Sequence, residues 1–201
     1  LDAGLRRKVL PFLHRVQSEF SIPMLLVSHN PVEVQALCED LVVLREGAII
    51  ARGEPRRVLT QPEVFPLAEH EGFQNMIPGH VIENGAETSL VRLGDQHDGP
   101  VVITPRSELG TGESVLMGVP ANEVLLALER PVGLSARNIM SAVVESVQSV
   151  GVWRLISLRL ADDSPPLVAE VTADALTELH VEPHRELFII IKTSAITLYE
   201  G

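Results

Sequence analysis

Val143-Val144-Glu145 is a near-copy of Val81-Ile82-Glu83, and the residue numbers of the two stretches differ by 62. Three further matches follow in the same order, with differences of 67, 66 and 72: Arg159, Leu160 and Asp162 with Arg92, Leu93 and Asp95; Pro166, Leu167 and Val168 with Pro100, Val101 and Val102; Ile196 and Leu198 with Val124 and Leu126. The offset drifts only where loops change length, which indicates a duplicated unit. Chance likeness between generic strands is the alternative.

Each copy of this unit consists of short apolar runs separated by turn residues. Asn84-Gly85 is a pair typical of type I′ turns and predicts a β-hairpin between the runs that flank it. About five short strands per copy are typical of a small closed barrel, so we predict two tandem barrels of the oligonucleotide/oligosaccharide-binding type. The predicted all-β domain spans residues 76–201, with a first lobe at 76–133 and a second lobe at 134–201.

Residues 1–75 show a different pattern, which predicts an α/β unit. Apolar residues recur at helical spacing through residues 5–20, and Pro11 predicts a kink in that helix. The nearly all-apolar run at residues 22–28 is typical of a strand that is buried on both faces of a parallel sheet. Asn30 is a favourable N-cap residue and predicts the start of a second helix.

Two more elements follow in this unit. Glu46-Gly47 lies between two apolar runs and predicts a hairpin, and residues 56–60 predict a short helix that begins after Pro55. From residue 61 to residue 78 the apolar period fades and prolines punctuate the chain. This stretch predicts a linker and a domain boundary.

Composition narrows the classes of function. The 201 residues carry 16 basic and 27 acidic side chains, which gives a net charge of −11, and 3% of the residues are aromatic. The charge has the wrong sign for a phosphate backbone and the aromatic residues are too few for base stacking, so we expect no nucleic-acid partner. No apolar run reaches the roughly 20 residues of a membrane helix. The single cysteine, Cys38, indicates a reducing compartment.

His29 follows the predicted buried strand, where the carboxyl ends of an open α/β sheet face a ligand. The alternative is a histidine that merely ends the strand. Leu1-Asp2, His29, Leu44-Arg45-Glu46-Gly47 and Arg52-Gly53-Glu54-Pro55 together resemble the last part of an ABC-transporter ATPase domain. The resemblance implies that His29 contacts the γ-phosphate of ATP as a catalytic residue and that Asp2 acts across an ATPase dimer.

The phosphate-binding loop of such an ATPase is missing from the sequence. No G-x-x-x-x-G-K-[ST] motif occurs, and Gly110-Thr111-Gly112-Glu113-Ser114 lacks the lysine. We therefore expect ATP and Mg²⁺ to be cofactors of a longer parent protein and this chain alone to be inactive in ATP hydrolysis. Leu1 in the place of a methionine also indicates a chain cut from a longer one.

Polar residues stand near both ends of the second lobe, in Ser135-Ala136-Arg137-Asn138 and in Lys192-Thr193-Ser194. If the two segments meet, they offer one guanidinium, one ammonium, several hydroxyls and free backbone N–H groups. A small tetrahedral oxyanion requires such dispersed donors around a modest positive charge. The alternative is an arginine and a lysine that are solvated at loop ends.

Residues 134–198 resemble the Mop domain, the molybdate-binding barrel of small molybdate-binding proteins and of molybdate-importer ATPases. The resemblance implies molybdate or tungstate as the ligand and the following oxyanion-binding residues: Ser135, Ala136, Arg137, Asn138, Gly151, Lys192, Thr193 and Ser194. We expect no bound metal cation, because His180 and His184, despite their H-x-x-x-H spacing, flank Pro183 in a turn.

The first lobe departs from this pattern. Val119-Pro120-Ala121 takes the place of Lys192-Thr193-Ser194, and Asn75-Met76-Ile77-Pro78 contains no arginine. We therefore predict that the first lobe is a degenerate copy that binds no anion.

The two resemblances, in this order, imply the ATP-binding subunit of an ABC importer for molybdate or tungstate, whose regulatory domain gives feedback inhibition. The implied partners are a second copy, which pairs through the ATPase and regulatory domains, and a membrane-spanning permease. The implied location is peripheral, on the cytoplasmic face of the inner membrane. Two alternatives stay open: barrels that serve only as a dimerisation module, and a subunit for another solute such as sulfate, an iron chelate or a sugar.

Overall fold

The computed structural model describes residues 3–20, 22–69, 73–94, 98–160 and 166–200. The helices and strands are α1 Ala3–Phe20, α2 Pro31–Leu37, β1 Leu41–Arg45, β2 Ala48–Gly53, α3 Pro55–Leu59, α4 Phe65–Glu69, β3 Gln74–Asn84, β4 Thr88–Leu93, β5 Val101–Pro105, β6 Ser114–Pro120, β7 Leu125–Ala127, β8 Asn138–Val150, β9 Trp153–Arg159, β10 Leu167–Thr172, α5 Ala173–Glu178, β11 Glu186–Ile191 and β12 Thr197–Tyr199. In the described ranges, no helix has the length and apolar character needed to cross a membrane.

Two curled five-stranded sheets form the larger part of the molecule, and each borrows a strand from the other half of the chain. The sheet orders are β12-β6-β3-β4-β5 and β10-β9-β8-β11-β7. Strand β7 pairs with β11 of the second half, and β12 pairs with β6 of the first half. The two predicted barrels of the oligonucleotide/oligosaccharide-binding type are therefore present as curled half-barrel sheets, and their last strands are exchanged. The predicted boundaries at residues 75 and 133 stay predictions.

Strand registers confirm the duplication and correct its offset at two places. Both copies carry a β-bulge at the equivalent position, at Ile82 between β3 and β4 and at Glu145 between β8 and β9. These two bulges correspond at an offset of 63, not 62. Ile103 faces Leu90 and Val168 faces Ser157, so β5 and β10 correspond at an offset of 65, not 66. Short matches between apolar tripeptides slip easily by one position, which explains both errors.

Apolar side chains of both halves merge into a single buried cluster between the sheets. Val91 and Val144 are fully buried there, as are Ile156 and Ile189. Burial of apolar surface contributes about 25 cal/mol per Å², so this shared core stabilises the contact between the two halves. We infer that the two halves fold as one unit.

Two buried asparagines tie each half to the edge of the other. Asn75 accepts a hydrogen bond from Val168 N at 2.6 Å and donates to Val168 O at 2.9 Å. Asn138, its repeat equivalent, accepts from Ile103 N at 2.7 Å and donates to Ile103 O at 2.9 Å. Each amide thus satisfies both backbone groups of one outer-strand residue, a bidentate contact that fixes the register between the halves.

The apolar run at residues 22–28 does not form the predicted buried strand. It forms neither helix nor strand, and Leu25 and Val27 are 94% and 91% exposed. A strand of a parallel sheet needs neighbours to satisfy its backbone, and every strand pair in the described part of the chain is antiparallel and formed by other segments. The run is apolar as a buried strand would be, but no described strand pairs with it.

The other predicted elements of this region are present. Asn30 caps α2 by accepting from Val32 N and Glu33 N. Pro11 lies inside α1, which is assigned as one helix of 18 residues. Glu46 and Gly47 have φ of 51° and 80°, as a type I′ hairpin between β1 and β2 requires.

The loop after Asn84 differs from the prediction. A hairpin joins β3 and β4, but neither Asn84 nor Gly85 has a positive φ, so the turn is not of type I′. The loop runs from Gly85 to Glu87 and is closed by a 2.8 Å hydrogen bond from Gly85 N to Thr88 O. The bulge at Ile82 adds the twist that a two-residue turn would otherwise supply.

A second apolar cluster attaches β2, α3, α4 and Phe73 to the second sheet. Val58 of α3 and Phe65 of α4 pack with Phe73 against Leu155 and Val168 on the outer face of the second sheet. The helix α3 is capped by the Glu54 carboxylate, which accepts from Arg56 N and Arg57 N at 3.0 Å each. This packing covers Leu155 and Val168, whereas their repeat equivalents in the first half, Thr88 and Ile103, line an open cleft.

We expect Asn75→Ala to destabilise the protein strongly. The substitution leaves Val119 O and the N–H and C=O of Val168 without the amide, and each orphaned buried group costs about 1–3 kcal/mol. Urea unfolding measures the effect, and Asn122→Ala, in an exposed position nearby, is the matched control. Equal stabilities of the two variants would contradict the proposed role of Asn75.

Candidate anion-binding site

The structure brings the two predicted polar segments together in one open cleft of about 770 Å³. Its far wall comes from β4 and β5 of the first half, so the cleft lies between the two halves. The residues that line it are Glu87, Thr88, Ile103, Pro105, Ser135, Arg137, Lys192, Thr193 and Ser194.

Strand pairing explains why the segments meet. Asn138 begins β8 and pairs directly with Ile191, the last residue of β11. Because these strands are antiparallel, Arg137 precedes one strand and Lys192 follows the other at the same edge of the sheet. The two cations therefore leave the sheet side by side.

Asn138 holds the opposite wall in place and is not free to turn into the cleft. Its side-chain oxygen and nitrogen are both occupied by Ile103, and the residue is 4% exposed. Ala136, also buried, separates Ser135 from Arg137, so these two alternate side chains point to the open side. Asn138 and Ala136 thus shape the cleft, while their assignment as ligands stays a prediction.

The polar groups of the cleft have few internal partners. Arg137, Lys192, Ser135 and Ser194 are exposed, and within the described residues neither cation forms an ion pair. Thr193 Oγ1 is buried and has no hydrogen-bond partner in the described part of the structure. A buried hydroxyl without a partner is costly, which points to an acceptor that the protein itself does not supply.

Gly151 lies at the other end of the sheet. It forms the turn between β8 and β9 with a φ of 56°, and β8 extends over 13 residues from Asn138 to Val150. At about 3.3 Å per residue, the strand separates Gly151 from Arg137 by roughly 40 Å along its path. Within one chain, Gly151 therefore does not line the cleft.

The structure corrects the alignment of the first lobe, by one residue at the Val119–Ala121 segment and by three at the segment that begins with Asn75. Short 3-10 turns at Ala121–Glu123 and Thr193–Ala195 occupy equivalent places, at an offset of 72. Pro120 is therefore the counterpart of Lys192 and Ala121 that of Thr193. Asn75 matches Asn138, so Gln74 is the counterpart of Arg137. Neither Gln74 nor Pro120 carries a charge, and the expectation that the first lobe binds no anion stays a prediction.

The packing gives a physical reason why the first lobe has Ala121 in the place of Thr193. Ala121 is 1% exposed and belongs to the apolar cluster with Val58 and Phe65. A threonine there would place a hydroxyl among apolar side chains, at a cost of about 1–3 kcal/mol if unpaired.

The predicted ATPase residues are partly outside the described structure. Asp2 lies outside the described residues. His29 is exposed in a bend before α2, and the bend is fixed by Ser28, whose Oγ accepts from Asn30 N at 3.0 Å and donates to Glu33 Oε2 at 2.6 Å. His180 and His184 lie in turns with φ of 47° and 70°, and no cluster of His, Cys, Asp or Glu in the described ranges could hold a metal ion.

The sequence of this chain is similar to those of known proteins. Residues 134–198 match the TOBE domain family. The molybdenum import ATP-binding proteins ModC 1 of Azotobacter vinelandii and ModC of Paramagnetospirillum magneticum are 31% and 30% identical to this chain, over 98% and 100% of its length. The chain spans about half the length of these curated relatives, 54% of each.

A solved structure supports the fold. The cytoplasmic molybdate-binding protein ModG, determined with molybdate bound, superposes with a TM-score of 0.55 at 26% identity. The match covers 63% of this chain and 96% of ModG. The curled half-barrel sheets are therefore of the Mop type within the broader oligonucleotide/oligosaccharide-binding class.

We expect Thr193→Val to stabilise the anion-free protein, by up to about 1 kcal/mol, because it removes a buried hydroxyl that lacks a partner. Urea unfolding without added anion measures this. Thr172→Val is the control with the same chemical change: Thr172 Oγ1 accepts from Ala175 N at 3.2 Å as the cap of α5, so its loss should destabilise. A destabilised Thr193→Val would show that the hydroxyl has a partner.

Proposed function

Residues 134–198 are a TOBE domain and the whole chain is similar to molybdenum import ATP-binding proteins; on this premise we propose that it is the C-terminal part of the ATP-binding subunit of an importer for molybdate or tungstate. Its own activity in this proposal is to bind the oxyanion in the cleft between the halves. Binding of the internal oxyanion then inhibits the ATPase of the parent protein.

The observation that carries the proposal is the convergence of Arg137 and Lys192 on hydroxyl-bearing turns, in a chain whose net charge is −11. A tetrahedral dianion needs donors from several directions around a small positive charge. Ser135, Ser194 and the unpartnered Thr193 supply such donors, and the exposed cations supply the charge. The relatives and ModG bear names that refer to molybdenum or molybdate.

The proposal extends to the longer parent protein. There, His29 contacts the γ-phosphate of ATP and Asp2 acts across the dimer, with Mg²⁺ held by residues outside this chain. The parent pairs with a second copy and with a membrane-spanning permease, on the cytoplasmic face of the membrane. The order of α/β segment and TOBE domain supports this arrangement.

In this proposal, the dimer is needed to bring Gly151 to the anion. Since it lies far from Arg137 in the same chain, its backbone N–H reaches an anion only if a second copy brings it to the cleft or to the cleft's rim. The exposed side chains of Val132 and Val152, 89% and 72% exposed, offer apolar surface for such a contact.

We expect this chain to bind molybdate and Arg137→Ala or Lys192→Ala to weaken binding by about 10- to 100-fold. A hydrogen bond to a charged group contributes about 1.5–3 kcal/mol, and each 1.4 kcal/mol is tenfold in affinity. Calorimetric titration with molybdate measures this, with sulfate and phosphate as competing anions. Arg45→Ala, an exposed arginine of the β1–β2 hairpin, makes the same charge change away from the cleft. Unchanged affinity in the cleft variants would overturn the site.

In the complete transporter, we expect Arg137→Ala to relieve inhibition of ATP-driven uptake by internal molybdate. A coupling of about 1–3 kcal/mol corresponds to about 5- to 150-fold in apparent affinity. Transport into vesicles preloaded with molybdate measures the effect. Equal inhibition of the variant and the wild type would restrict the barrels to a dimerisation role.

A further inference from the structure

A second cleft, of about 550 Å³, lies where α3 packs against the second sheet. Donor groups reach it from both sides: Arg56, Arg57 and Thr60 from the α3 segment, and Ser146, Gln148 and Ser157 from β8 and β9. It is separate from the cleft of Arg137 and Lys192, with which it shares no lining residue.

The duplication relates the two clefts. Leu155 and Val168 line the second cleft, and their repeat equivalents are Thr88 and Ile103, which line the first. Both pairs lie on the outward-facing side of equivalent strands. The same surface of the repeated sheet is thus a cleft wall in each half, with the second cleft displaced along the sheet toward Glu145.

The source of positive charge differs between the two. The counterparts of Arg137 and Lys192 are Gln74 and Pro120, which carry no charge. In their place, α3 brings two arginines to this face. The first lobe therefore has no cations of its own at this place, and Arg56 and Arg57 of α3 supply the positive charge instead.

Arg56 is held in an unusual state. Its Nε and Nη2 atoms are buried, and they have no hydrogen-bond partner in the described part of the chain. Desolvation lowers the pKa of this guanidinium, and the nearby Glu54 carboxylate opposes that shift. A buried charged donor without an acceptor is among the most costly polar defects in a fold, so its persistence needs a reason.

The neighbouring carboxylates are already engaged elsewhere. Glu54 accepts from the backbone N–H groups of Arg56 and Arg57. Glu145 forms an ion pair with Arg159 Nε at 3.3 Å and accepts from Ser157 Oγ at 3.4 Å. Within the described residues, no side-chain acceptor is paired with either guanidinium of α3.

We propose that this cleft is a second oxyanion site, which takes a tetrahedral oxyanion or a phosphate group between the α3 arginines and the hydroxyl of Ser146. An anion there gives the guanidinium of Arg56 the acceptor that it lacks. Because the site spans α3 and the second sheet, its occupancy also strengthens the contact between the α3 segment and the barrels. This site stands independently of the Arg137 and Lys192 cleft.

The test uses the full chain with Arg137→Ala and Lys192→Ala combined, which removes the first cleft's cations. Calorimetric titrations of this variant with molybdate, with sulfate and with inorganic phosphate should show about one bound anion per chain for at least one of the three. Adding Arg56→Gln and Arg57→Gln should weaken that binding by at least about tenfold. Adding Arg45→Gln instead is the matched control and should leave it unchanged. No binding of any of the three anions before the α3 arginines are replaced, or binding that survives their replacement, would overturn the proposal.

A second measurement guards against a misfolded variant. Arg57→Gln changes an exposed side chain only, and thermal unfolding should show a smaller anion-induced rise in Tm than in the wild type. Equal rises in Tm for Arg57→Gln and the Arg45→Gln control would count against the site.

Discussion

The amide contacts of Asn75 and Asn138 are the constraint on which the rest of the structure depends. Each side-chain amide forms hydrogen bonds to both the N–H and the C=O of one residue on an outer strand of the opposite half, at distances of 2.6–2.9 Å. Exchange of the strands β7 and β12 already binds the halves together, whereas the outer strands β5 and β10 pair only with a strand of their own half. The asparagines connect these outer strands to the other half. The wall formed by Ile103 stands opposite Arg137 and Lys192 because Asn138 holds it there.

The outer face of the repeated sheet has a different environment in each half. In the first half, the face around Thr88 and Ile103 stays open and meets two cations of the second half. In the second half, the equivalent face around Leu155 and Val168 is largely covered by α3 and α4. The packing environment explains why the residue types differ between the two halves. Apolar residues such as Ala121 are favourable at a covered face, whereas an open face tolerates polar side chains. The repeated sheet thus has two equivalent surfaces, one that lines the candidate site and one that packs against α3 and α4.

Much of this was predictable from the sequence, and the exceptions have physical causes. The duplication and the short strands of the barrels follow from local patterns, whereas the meeting of Arg137 with Lys192 stayed conditional until the pairing of β8 with β11 showed it. Strand exchange does not, because a three-residue strand such as Leu125–Ala127 fits either sheet equally well by its alternation. The apolar residues 22–28 indicate a buried strand, but the pattern cannot supply the neighbours that would bury it. Asn138 resembles an anion ligand in sequence, and only the position of Ile103 shows that its amide is already engaged.

The most direct test of the central claim is to locate the anion itself. Crystals of the full chain grown with tungstate would give a tungsten anomalous signal, which identifies the bound atom without ambiguity. The account predicts a strong peak within hydrogen-bonding reach of Arg137, Lys192 and the hydroxyls of the turn at Thr193–Ala195. Saturating tungstate with no peak in that cleft would contradict it.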